Sequence, residues 1–80
     1  RAAERHAAAA ETGRRMAALS ERERQVLDEL MAGSPNKVIA QALGISPRTV
    51  EIYRANVMAK MQAGSLAELV RMALTVRPGG

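Results

Sequence analysis

An all-α fold is what this sequence predicts, and three observations predict it. Apolar residues recur at helical spacing in four successive segments between Leu19 and Leu74. A residue suited to capping a helix N-terminus (Ser20, Asn36, Ser46 or Ser65) stands ahead of each segment. No alternating β-branched run and no Asn-Gly turn appears anywhere. The expected organisation is a partly helical, Ala-rich interdomain linker over 1–18, a compact four-helix domain over 19–76, and a flexible tail over 77–80.

The linker "RAAERHAAAAETGRRMA" is rich in the best helix-forming residue, but Ala offers little surface to bury, and Thr12-Gly13 interrupts the pattern. The chain begins at Arg1 without an initiating Met. It therefore reads as a piece of a longer protein whose upstream domain precedes the linker.

The first domain helix opens at Ser20, which forms a capping box with Glu23. Val26, Leu27, Leu30 and Met31 make its inward stripe, and Ala32-Gly33 ends it. Asn36 is the expected cap of the second helix, with Val38, Ile39, Ala42 and Leu43 inward. Gly44 stops it. One apolar residue, Ile45, then separates it from Ser46-Pro47, which opens a third helix running to about Met61. Two helices joined by so short a turn form a helix-turn-helix. Gln62-Ala63-Gly64 closes the third helix, and Ser65 with Glu68 opens a fourth that runs to about Thr75.

The third helix has two unlike sides. At 100° per residue, Val57 and Met61 fall about 20° to either side of Val50, and the three make the buried stripe. Arg48, Ile52, Ala55 and Ala59 lie opposite, with Glu51 and Gln62 on one shoulder. Such a small, mixed face suits close approach to base edges. Glu51 can accept from a cytosine amino group, Ile52 can pack on a thymine methyl, and Arg48 can reach guanine or phosphate. Thr49, Tyr53, Asn56 and Lys60 form a polar ridge along one flank, all able to donate to phosphate oxygens. Asn36 and Lys37 are placed to hold the opposite strand. Ser46, at the helix N-terminus, offers a phosphate seat.

Charge agrees. The net charge is +4 and the isoelectric point about 10.7. Residues 20–34 carry Arg22 and Arg24 against Glu21, Glu23, Asp28 and Glu29. Residues 35–80 carry Lys37, Arg48, Arg54, Lys60, Arg71 and Arg77 against only Glu51 and Glu68. The positive excess thus sits with the helix-turn-helix and suits a polyanion.

The stretch "LSERERQVLDELMAGSPNKVIAQALGISPRTVEIYRANVMAKM" closely resembles the LuxR-type helix-turn-helix domain found at the C-terminus of response regulators, and its FixJ-like branch most nearly. The motifs "LSxRE", "NKxIAxxLxIS" and "TVExxRxxVxxK" occur in order. The resemblance covers about Leu19 to Leu74. It implies a third helix in the major groove, base contacts at Glu51, Ile52 and Ala55, and phosphate contacts at Thr49, Asn56 and Lys60. Tyr53 stands where the family usually has His, and keeps a donor at longer reach. Ala55 is small where some relatives carry a long polar reader.

The resemblance further implies a homodimer through the fourth helix. That helix supports the idea independently, because Leu66, Leu69, Val70, Met72, Ala73 and Leu74 spread over roughly 220°, more than one core wall needs. The function expected is sequence-specific binding of double-stranded promoter DNA, as the output domain of a two-component regulator. An N-terminal receiver domain and RNA polymerase are the implied partners. The rivals are a sigma-factor promoter-recognition domain and a helical protein-interaction module.

Catalysis finds no foothold. The chain has no Cys, and His6 stands alone in the Ala-rich segment. Asp28 has no companion acid cluster that would mark a phosphoryl acceptor. No cofactor or metal is expected. No apolar run approaches the roughly 18–20 residues of a membrane span, and no signal peptide is seen, so a cytoplasmic setting is expected. Glu23 is also a possible partner for Arg54, which lies about 40° from the core centre of its helix.

Overall fold

The computed structural model describes residues 2–76, which form five helices and no strand: α1 (Ala2–Ala17), α2 (Glu21–Met31), α3 (Asn36–Leu43), α4 (Pro47–Met61) and α5 (Leu66–Thr75). The tail expected at 77–80 lies outside the described residues.

The punctuation of the sequence becomes the punctuation of the fold. The Ser20 hydroxyl accepts from the Glu23 N–H, and the Glu23 carboxylate accepts from the Ser20 N–H at 2.8 Å, a complete capping box. Ser46 accepts from the Thr49 N–H and Ser65 from the Glu68 N–H. Each such cap is worth about 0.5–2 kcal/mol. Gly33 (φ +81°) and Gly44 (φ +67°) take the left-handed conformation that ends α2 and α3.

The core is aliphatic. Val26, Leu27, Ile39, Val50, Val57, Met61 and Leu69 are fully buried, and Leu30 and Ala40 nearly so. α4 packs chiefly on α2 and α3, and α1 lies against α4 and α5. The centre of the domain is therefore the inner stripe of α4.

Three expectations are corrected. The Ala-rich segment is one continuous helix through Thr12-Gly13, and its second half is docked: Thr12 and Met16 are buried. Arg15 Nη1 donates to the Met61 carbonyl (3.2 Å) at the C-terminus of α4, where a cation complements the helix dipole. The cap of α3 is Pro35, without a side-chain hydrogen bond, and Asn36 is the first residue of the helix. Of the four inward residues expected in α3, Ile39 is buried and Leu43 half-buried, but Val38 is 44% exposed and Ala42 is exposed. An eight-residue helix touched mainly by α4 covers only one edge of its apolar set.

Candidate nucleic-acid interface

The turn at Gly44, Ile45 and Ser46 aims α4 so that its two sides are wholly separated. Val50, Val57 and Met61 have no exposure at all, whereas Arg48, Glu51, Ile52, Ala55, Asn56 and Ala59 are exposed, Ile52 at 54%. An isoleucine held in solvent beside two alanines, an acid and a base is a surface of low relief. A 15-residue helix is about 22 Å long, and a B-DNA major groove is about 12 Å wide, so such a rod fits the groove without side-chain obstruction.

The polar ridge is arranged less simply. Thr49 is half-buried, and its hydroxyl is 2.9 Å from that of Ser46, so both belong to the N-cap of α4. Tyr53 is half-buried against the core edge and Asn56 is exposed. Lys37 is exposed on α3, and Asn36 is half-buried beside it.

Lys60 leans inward. Its ammonium donates to Glu23 Oε1 (2.7 Å) and to the Ala18 carbonyl (3.3 Å). The Glu23 side chain is only 6% exposed. The partner of Glu23 is thus Lys60, and the Glu23–Arg54 pair does not form; Arg54 Nη1 instead donates to Asn36 Oδ1 (3.1 Å). Lys60 ties α4 to the α1–α2 junction while Arg15 ties α1 to the end of α4, each helix lending a cation to the other's terminal carbonyls. An ammonium has three protons, so Lys60 keeps one for an outside acceptor.

The hydrogen bond from Lys60, then that from the Ser20 N–H, hold the Glu23 carboxyl below its ordinary range, against the opposing effect of burial. A lowered folded-state pKa gives stability that is present above the unfolded value and is lost as pH falls through the folded one. Lys60→Met should therefore destabilise the domain by about 1–2 kcal/mol near neutrality, with a deficit that shrinks once Glu23 is protonated. Melting temperatures of both proteins across acid and neutral pH measure this. An equal deficit at every pH would mean that Lys60 acts by packing alone.

The six dimerisation candidates of α5 divide. Leu69 and Ala73 are completely buried in their own domain and are withdrawn as interface residues, because α1 and the core use that side of the helix. Met72 is half-buried against the core. Leu66 (40%) and Leu74 (50%) are exposed and Val70 is half-exposed, one stripe at i, i+4, i+8.

Among the described residues no group of three or more His, Cys, Asp or Glu could hold a metal ion, and no helix is long and apolar enough to cross a membrane. The family model for bacterial regulatory proteins of the luxR family matches residues 17–73. The chain belongs to the luxR family. Its helix-turn-helix is α3, the Gly44 turn and α4, and as a domain of this family it is a DNA-binding module of transcription regulation.

Similarity is high to the transcriptional regulatory protein FixJ of Azorhizobium caulinodans, 69% identical over 67 residues, covering 84% of this chain and 32% of that protein. The chain spans about a third of the length of the curated FixJ relatives it matches. Full-length FixJ from B. japonicum superposes with a TM-score of 0.86 at 57% identity, covering 94% of this chain and 37% of that one. The C-terminal transcriptional activator domain of FixJ from Sinorhizobium meliloti gives 0.72 at 65% identity, covering 81% and 82%. The luxR-family match begins at Ala17, so α1 almost wholly precedes it, yet the docked second half of α1 completes the core of this domain.

Proposed function

We propose that this luxR-family domain is the output module of a two-component response regulator, and that it reads promoter DNA by laying α4 in the major groove. Arg48, Glu51, Ile52 and Ala55 face the bases. Asn36, Lys37, Ser46, Thr49, Tyr53, Asn56 and the spare proton of Lys60 serve phosphates on either side. One observation carries the reading: the inner stripe of α4 is fully buried while the residues opposite are all exposed. A helix fixed so firmly on one side presents the other as a rigid surface, and rigidity is what register against base edges requires.

Two copies occupy two half-sites, joined through Leu66, Val70 and Leu74, with Met72 at the margin. The upstream partner is a phosphorylated receiver domain, and the downstream partner is RNA polymerase, both in the cytoplasm. Titration of duplex DNA at several salt concentrations tests the core of this reading. Affinity should fall steeply with salt, because each neutralised phosphate releases counterions. Salt-independent or absent binding would instead favour a protein-interaction module.

The double variant Leu66→Ser, Leu74→Ser should keep its melting temperature within the change of roughly 0.5 kcal/mol typical of surface substitutions. It should lose cooperative occupancy of paired half-sites while keeping single-site affinity. Retained cooperativity would remove α5 from the dimer, and single-copy binding by the unaltered chain would favour the sigma-factor reading.

A further inference from the structure

Among the described residues no carboxylate forms an ion pair with Arg54. Arg54 projects from α4 close to the buried stripe, is half-buried, and spends its hydrogen bond on the side-chain oxygen of Asn36, 18 residues away on α3. A guanidinium carries five donors and no acceptor. Only the oxygen of the amide can face it, so the Asn36 NH2 is turned the other way. Among the described residues the Asn36 side chain bonds through its oxygen alone. Lys37, next in sequence, is exposed.

We propose that Arg54 is a positioning residue for DNA binding: it aims the Asn36 amide so that its two protons meet a phosphate, and it fixes that grip relative to the reading face of α4. This rests on the DNA-binding reading above. Arg54 starts from the same helix as Glu51, Ile52 and Ala55, so its bond to α3 makes the position of one phosphate contact depend on the position of the base readers. Arg54 touches no phosphate itself. The two roles differ measurably, because a neutral donor lost from a phosphate leaves the salt dependence intact, whereas a lost cation reduces the slope by about one.

The test uses the 80-residue chain, a duplex of fixed mixed sequence, and a salt series. Arg54→Met and Asn36→Ala should each weaken binding roughly tenfold, the scale of one hydrogen bond to a charged group. The double variant should be no weaker than the worse single one, which is coupling in a double-mutant cycle. The salt slope should not change, and Arg54→Lys, which keeps a donor, should recover most of the loss. Additive effects, a slope reduced by about one in Arg54→Met, or unaltered affinity in that variant would overturn the assignment. Should Arg54→Met fold too weakly to assay, the unaltered chain decides: the side-chain NH2 resonances of Asn36 must shift on adding duplex, and unmoved resonances overturn it. Loss of all salt-dependent binding in the unaltered chain would instead sink the DNA-binding reading. An additive cycle on a chain that binds well sinks only the role of Arg54.

Discussion

Met61→Ala should cost this domain about 2–5 kcal/mol of unfolding free energy, the range for truncating a long aliphatic side chain in a packed core. Met61 has no exposure, closes the inner stripe of α4, and its carbonyl receives the Arg15 guanidinium. A domain of this size holds only about 4–12 kcal/mol in all. The variant should therefore melt far lower or be unfolded at room temperature. The one aromatic, Tyr53, packs at the edge of the core and is not among its buried residues. Denaturant titration followed by circular dichroism measures the loss. A change under about 1 kcal/mol would mean that the C-terminal turn of α4 is looser than its burial indicates.

Ile52→Asp should do the opposite. Ile52 is 54% exposed and has no part in the core, so thermal stability should stay within roughly 0.5 kcal/mol of the unaltered chain. A carboxylate in the middle of the reading face would meet the negative potential of the groove, and an unpaired charge buried against bases costs several kcal/mol. Binding to any duplex should fall by at least a hundredfold. Electrophoretic mobility or fluorescence anisotropy reads this directly. Near-normal binding would place the DNA on another face. The contrast between the two variants separates what α4 does for the fold from what it does for recognition.

Much of this was legible in the chain. The caps at Ser20, Ser46 and Ser65 and the stops at Gly33 and Gly44 place the helices, because capping is local chemistry. The two sides of α4 follow from a 100° step, because its partners lie on one side only. What escaped was set by distant contacts. Glu23 and Lys60 lie 37 residues apart, and on a helical projection Arg54 sits nearer the core than Lys60, so only the packing of α2 on α4 decides between them. Leu69 and Ala73 belong to the same wide apolar arc as Leu66 and Leu74. Which part of that arc the domain itself covers depends on α1. The docking of α1 was hidden because alanines show little amphipathic contrast, and the residues that anchor it, Thr12, Arg15 and Met16, become informative only once α4 and α5 are in place.

Selecting bound duplexes from a random pool, with the unaltered chain and Glu51→Ala in parallel, bears most directly on the claim that the outer side of α4 reads bases. The unaltered chain should return a motif of two half-sites. Glu51→Ala should return the same motif with one relaxed position per half-site, a discrimination of about 1–3 kcal/mol removed there and nowhere else. Identical motifs from both proteins, or the loss of information at every position together, would contradict it.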